Sequence, residues 1–228
     1  MQKEEEHIMT EIEAIRARHA VRNYTAKPLS PEIIDELRQE IEQCNRQGQL
    51  HIQLVTENEE AFKTFIPLFG RFKNVKNYIA LAAKKQGDFY VKCGYCGARL
   101  MVKAQQAGLN SCWVTNTYNA KKCPVTLAPD EELVGVIAIG YGTTDGTQHK
   151  SKSMERLCKP CSDKWFLDGM NAAVLAPTGL NRQDFFIEAN GNTVSIRTKD
   201  NHPMSQINTG IVKYHFEIGA GRENFNWE

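Results

Sequence analysis

Residues 132–142, ELVGVIAIGYG, are the stretch of this sequence that reads most clearly as a buried strand. A short apolar run rich in β-branched residues needs cover, so the chain must set a sheet against helices. Helical patterns supply that cover. Ile8, Ile12 and Ile15 recur at helical spacing across 5–17. Ser30 is placed as an N-cap with Pro31 at the first helical position, and Ile33, Ile34, Leu37 and Ile41 follow as an apolar stripe. Residues 94–107 form a strong amphipathic helix that ends at Gly108, a residue suited to a left-handed cap. HIQLVTE (51–57) alternates as a strand, NEEAFKTFIPLF reads as a short helix stopped near Pro67, and SCWVTNTYN is a short strand or turn. The class is α+β, with antiparallel or mixed sheets flanked by helices.

Between 142 and 162 the composition shifts to Gly, Thr, Ser and Lys, as in a loop followed by a linker. A second run of elements follows. KWFLDGMNAAVLA is helical, DFFIEANGNTVSI is a hairpin with Asn190-Gly191 at its tip, and NTGIVKYHFEIGAG is a helix. The two runs echo each other: helix then strand at 31–57, and again at 164–189. A helix opening at Gly94 is matched by one opening at Gly210, and Ala104 and Ala220 fall ten positions after those glycines. The pattern divides the chain into two degenerate copies, 1–155 and 156–228.

The 228 residues carry 28 Lys+Arg against 27 Asp+Glu, a net charge of +1. So even a balance argues against nucleic acid or an acidic membrane as partner, and any phosphate site must come from a few placed cations. No apolar run approaches the roughly 18 residues of a membrane span, and the start, MQKEEEHIMTEIEAI, lacks the apolar core of a signal peptide. Seven cysteines, an odd number without such a signal, suggest reduced thiols and a cytoplasmic protein. Cys93/Cys96 and Cys158/Cys161 are both C-x-x-C pairs, but 61 residues separate them. Common four-cysteine zinc ribbons leave about 15–20. No metal site is therefore expected.

Three constellations carry possible chemistry. Arg18-His19-Ala20-Val21-Arg22-Asn23-Tyr24 puts two arginines four apart, on neighbouring positions if helical, where guanidinium forks suit a phosphate or a planar acceptor edge. Surface arginines at a solvated helix end are the plain alternative. Ala176-Pro177-Thr178-Gly179-Leu180-Asn181-Arg182-Gln183 bends sharply, and its amides match a ring with alternating C=O and N–H groups; a simple helix-to-strand turn has the same composition. His149-Lys150-Ser151-Lys152-Ser153 could neutralise a phosphate or be a flexible basic loop. There is no G-x-G-x-x-G after a strand, no phosphate-loop lysine motif, no G-x-S-x-G and no H-E-x-x-H.

Taken together these pieces resemble the FMN-dependent nitroreductases. RHAVRNY resembles the family's R-x-S-x-R-x-[FY] start, APTGLNRQ its A-P-S-x-x-N-x-Q turn, Gly94 through Trp113 its G-x-(helix)-A-x-x-x-G-L-x-x-x-W segment, and HKSK its late Lys/Arg pair. The order is unusual, because the turn motif falls in the second half, while its usual early place holds Gln43-Cys44-Asn45-Arg46-Gln47-Gly48. The chain thus resembles the subfamily in which a tandem duplication mimics the usual homodimer, so that a monomer suffices.

The resemblance implies one FMN, held by Arg18, His19, Ala20, Arg22, Val114, Thr115, Asn116, Lys150 and Lys152 of the first copy and by Pro177, Thr178, Gly179, Asn181 and Gln183 of the second. A main-chain N–H near Thr115-Asn116 would meet flavin N5, and Arg22, with Lys150, the negative charge of the reduced ring. No side chain is implied as an obligatory acid. Ala20 stands where the family has serine, which forgoes one hydroxyl contact of about 1 kcal/mol. The implied activity passes hydride from NADH or NADPH through the flavin to a nitroaromatic, quinone or similar small molecule. Two alternatives are a flavin-binding sensor or carrier with little turnover, and a zinc-cysteine interaction protein.

Overall fold

A computed structural model describes residues 8–63 and 72–228 of the chain. Helix α1 (Glu11–Ala17) starts at Thr10, where Glu13 N donates to the Thr10 hydroxyl and Thr10 N to the Glu13 carboxylate at 2.8 Å. Helix α2 (Pro31–Gly48) begins as its sequence indicates, with Ile33 N donating to Ser30 Oγ at 3.4 Å, and buries Leu37, Ile41 and Cys44. It runs on through 43–48, so that segment is helix rather than a turn. Strand β1 (Gln53–Val55) is shorter than 51–57, because the Asn45 side chain takes both main-chain groups of Ile52, at 2.7 and 3.0 Å. A 3-10 turn at Glu60–Phe62 stands where a short helix is expected; Pro67 lies outside the described residues.

Strand β2 (Asn77–Lys84) is buried from Asn77 to Ala83 and matches no sequence expectation above. Helix α3 (Phe89–Gln106) starts five residues before Gly94, and Gly108 behind it has φ +73°. Strands β3 (Asn110–Val114) and β4 (Glu131–Gly140) complete an antiparallel sheet ordered β1-β2-β4-β3. Alternation sends Ile79, Leu81, Ile137 and Ile139 to the face that α2 and α3 cover. Tyr78, Ala80, Val136 and Ala138 point the other way and pack on Val21, Tyr24 and Ala61.

The second run gives helix α4 (Lys164–Ala173), the hairpin β5 (Phe185–Asn190) and β6 (Thr193–Thr198), helix α5 (Pro203–Ala220) and strand β7 (Asn226–Trp227). The hairpin turns at Gly191-Asn192, one residue past the expected tip, with Gly191 at φ +59°. Its sheet is mixed: β5 and β6 are antiparallel, β6 and β7 parallel. Helices α3, α4 and α5 share one core with this sheet through Cys93, Phe166, Ile187, Val194 and Phe216.

The expected helix starts at Gly94 and Gly210 are displaced, for both glycines lie inside their helices, where α3 meets α5. A Cβ on Gly94 would strike the Ile207 carbonyl, and one on Gly210 the Val91 carbonyl. Ile207 precedes Gly210 by three residues, as Val91 precedes Gly94. The contact is reciprocal, and only hydrogen fits at either glycine.

Among the described residues no helix is long and apolar enough to cross a membrane. Nor does any group of three or more His, Cys, Asp or Glu among them stand ready for a metal. The C-x-x-C partners Cys93 and Cys96 belong to different core clusters, and the cysteines are free thiols.

Candidate functional site

Arg18 and Arg22 do not share a helix face. Helix α1 ends at Ala17, Arg18 is extended (φ −72°, ψ 120°), and the chain then runs beside β3. Ala20 bridges Ser111, and Val21 N donates to Ser111 O at 3.1 Å. Tyr24 anchors the segment by donating to the Val21 carbonyl at 2.7 Å and the Ala138 carbonyl at 3.2 Å. Main-chain pairing with the sheet therefore overrides continuation of the helix. It leaves Arg18 only 4% exposed and Arg22 on the surface.

Arg18 is the outstanding electrostatic feature. Its Nε and Nη1 are buried and find no hydrogen-bond partner among the described residues. Burial pulls its pKa down to about 10, against a small opposing effect of Cys112. A buried guanidinium without a counter-charge is among the costliest groups a fold can hold, and it fits an anionic ligand. Two more orphaned groups, Ser111 Oγ and His215 Nε2, belong to the same region. Ser111 pairs with the arginine segment, and Arg18 is the leading charged side chain acting on His215. His215 on α5 is 1% exposed, its Nδ1 bonds the Ile211 carbonyl at 2.9 Å, and burial pushes its pKa down to about 3.

The basic loop and the Pro-Thr-Gly turn do come together, knotted on the carbonyl of Val174 at the end of α4. That oxygen accepts from His149 Nε2 at 3.0 Å, Ser151 Oγ at 3.1 Å and Gln183 Nε2 at 3.0 Å. Lys152 N donates to Gln183 Oε1 at 2.6 Å, and Asn181 Nδ2 to the Lys150 carbonyl at 2.8 Å. Lys152 Nζ reaches the Gln183 carbonyl and the Asp184 carboxylate, both at 3.1 Å. Gln183 N donates to Thr178 Oγ1, and Gly179 N to Asn208 Oδ1 on α5, each at 3.0 Å. The turn is tightly wound, with Leu180, Asn181 and Gln183 at φ +53°, +54° and +47°. Such left-handed residues persist only where their surroundings hold them. Pro177 and Gly179 are half-buried within it.

The knot joins the arginine segment through the loop before it: Gly146 lies against His19 and the Ala20 carbonyl. Burial first, then Arg18, lower the pKa of His19, with His149 also bearing on it. The structure thus gathers Arg18, His19, Ala20, Lys150 and Lys152 with Pro177, Thr178, Gly179, Asn181 and Gln183. Val114 is instead buried against Val21 and Tyr24, while Thr115 and Asn116 continue from β3 without a hydrogen bond to the knot. Ser111 and His215 are the residues that sequence reasoning passes over. A histidine among apolar helix positions reads as core, and only its missing partner betrays it.

This architecture is the nitroreductase-like α+β fold. The chain belongs to the family described as "Putative TM nitroreductase", which matches residues 11–220. It is similar along 97% of its length to a nitroreductase-family structure from Thermotoga maritima, covering 88% of that chain at 20% identity and a TM-score of 0.69. Shorter proteins align with part of it. A nitroreductase in complex with FMN from Desulfovibrio desulfuricans has a TM-score of 0.53 at 16% identity, over 67% of this chain and 98% of its own. An NADH dehydrogenase/NAD(P)H nitroreductase from Parabacteroides distasonis has a TM-score of 0.53 at 19% identity, over 64% and 95%. No curated protein matches the chain.

Proposed function

We propose that the protein is an FMN-dependent oxidoreductase of nitroreductase type, taking electrons from NADH or NADPH and passing them to a nitroaromatic, quinone or similar small acceptor. The observation that carries this reading is the buried, uncompensated Arg18 guanidinium in a member of this family. FMN, when bound, supplies the hydride chemistry. Arg18 binds an anionic oxygen of the flavin, and the desolvation that lowers its pKa makes that contact strong. Arg22 and Lys150, both exposed, would add positive field where reduction places negative charge. The Val174 knot holds the Thr178–Gln183 turn rigidly against the loop that carries Lys150 and Lys152, so one face of the site is preorganised. The FMN complex of the Desulfovibrio relative supports the choice of cofactor.

The same reading makes residues 1–155 and 156–228 two copies of one unit, joined as a pseudo-dimer that needs no partner chain. The reciprocal glycine contact supports it, since a two-fold interface pairs each residue's counterpart with the other's. Strand directions agree as well. In the first sheet β3 runs parallel to β2 with β4 between them, and in the second β7 runs parallel to β6 with nothing between. The shorter relatives, matched almost whole, leave about a third of this chain over.

The test is the absorption spectrum and flavin-to-protein ratio of the purified protein. One FMN per chain, bleached by NADH or NADPH without oxygen, is expected. Two per chain, or an Arg18→Ala/Arg22→Ala double variant that remains yellow and equally reducible, refutes the assignment.

A further inference from the structure

His215 plays no part in that binding set, yet it carries a buried, unused acceptor. Its Nδ1 faces the Ile211 carbonyl, which can only accept, so Nδ1 holds the ring proton and Nε2 is a bare lone pair. Nε2 is buried without a partner among the described residues. Among the described residues, Arg18 and His149 are the side chains that lower the proton affinity of the ring behind burial itself, the first a cation short of partners and the second a member of the Val174 knot. Both push the ring toward neutrality, so Nε2 stays an acceptor. Ser111 Oγ, on the strand that pairs with Ala20, is a third buried polar atom without a partner among the described residues.

A ligand satisfying this set must present an anionic oxygen to Arg18 and, next to it, a hydrogen donor to His215. Gln183 Oε1 is already engaged by Lys152 N at 2.6 Å, whereas His215 Nε2 has no partner among the described residues. We propose that His215 Nε2 accepts a hydrogen bond from an O–H on the phosphate–polyol chain of the flavin, beside the anionic oxygen held by Arg18. This rests on the flavin reading. The O–H comes either from a singly protonated phosphate or from a ribityl hydroxyl, each an O–H donor next to an anion. His215 is thus a binding residue contributed by the second half of the chain, outside the Pro-Thr-Gly turn.

The test is titration of apoprotein with FMN and with riboflavin, read by flavin fluorescence, for the wild type, His215→Leu, His215→Gln and Arg18→Met. His215→Leu is expected to weaken FMN binding about tenfold, as for one buried hydrogen bond. His215→Gln, whose side-chain carbonyl restores an acceptor, should keep most of the affinity. Arg18→Met should lose about a hundredfold or more, as for a charge-assisted contact. A parallel loss of riboflavin affinity in His215→Leu assigns the O–H to the ribityl chain; unchanged riboflavin binding assigns it to the phosphate. Without any substitution, the Nε2 signal of His215 in 15N-histidine-labelled protein should move when FMN is added. Wild-type FMN affinity in His215→Leu, or an unmoved Nε2 signal in flavin-loaded protein, overturns the proposal and leaves the flavin reading standing if Arg18→Met is still weak. A wild type that binds no FMN overturns both.

Discussion

Arg99 on α3 and His215 on α5 each stand five residues beyond the glycine at which the two helices touch, and they are satisfied in opposite ways. Arg99 spends its whole fork inside the protein, on the Glu40 carboxylate and on the Gln43 and Gln47 carbonyls, the latter two at 2.8 Å. It lines a cavity of about 410 Å³ with Glu11, Tyr95, Tyr214 and Arg222, which contains none of the residues gathered around Arg18. Tyr214 donates to Glu11 at 2.6 Å and Tyr95 to Glu217 at 2.5 Å, so this region is closed by its own ion pairs and hydrogen bonds. Around His215 the balance is reversed: Arg18, Ser111 and the imidazole all keep buried polar atoms in reserve. One side of the helix pair uses polarity to hold the fold, and the other keeps buried polar atoms unpaired among the described residues. A site that binds tightly is built from groups the empty fold would be better without.

The comparison can be broken most sharply at the helix crossing. Gly94→Leu and Gly210→Leu each drive a side chain into a carbonyl of the opposite helix, and each should cost about 4 kcal/mol or more in urea denaturation. The correspondence of the helices requires similar losses; a severe effect at one glycine and tolerance at the other would end it. Next come the two arginines, with opposite signs. Arg99→Met strands Glu40, whose side chain is 15% exposed, and should lose about 2–3 kcal/mol. Arg18→Met removes a buried charge with nothing to pair it and should raise the melting temperature of the flavin-free protein, by about 1 kcal/mol in stability.

A pH experiment then isolates His215. Its folded pKa lies near 3 against 6.5 when unfolded, so between those values the unfolded chain takes up a proton that the folded one refuses. Stability is complete above pH 6.5 and falls on acidification toward pH 3, by about 1.4 kcal/mol per unit at most from this group. His215→Leu should show a shallower acid loss by that amount, and an identical pH profile would mean the ring is not buried neutral. The smallest effect is expected at Lys164–Asp168, a 2.5 Å pair on the surface of α4. Lys164→Ala should leave stability unchanged within error, in contrast with the half-buried Arg99–Glu40 pair.

What could be read in advance followed local rules. Ser30-Pro31, Gly108 and the apolar run in β4 announce themselves because each depends on neighbours a few residues away, as does the hairpin, whose turn lies one residue past Asn190-Gly191. Strand β2 escaped because both its faces are buried and three of its eight residues are alanine, which erases the alternation that marks a strand. The arginine motif was legible as a cluster, but its extended shape was not, since the pairing of Ala20 with Ser111 joins positions 91 residues apart. His215 could not be foreseen at all. Its significance lies in a hydrogen bond that is missing, and sequence carries no record of absent partners.

The close approach of α3 and α5 also decides how this protein responds to dilution. Two helices that touch backbone to backbone at Gly94 and Gly210 would, on separate chains, part as concentration fell. Here roughly a hundred residues of covalent chain tether them, so re-forming the contact is a unimolecular event at a fixed effective concentration. The contact is therefore as firm in a trace of protein as in a concentrated stock.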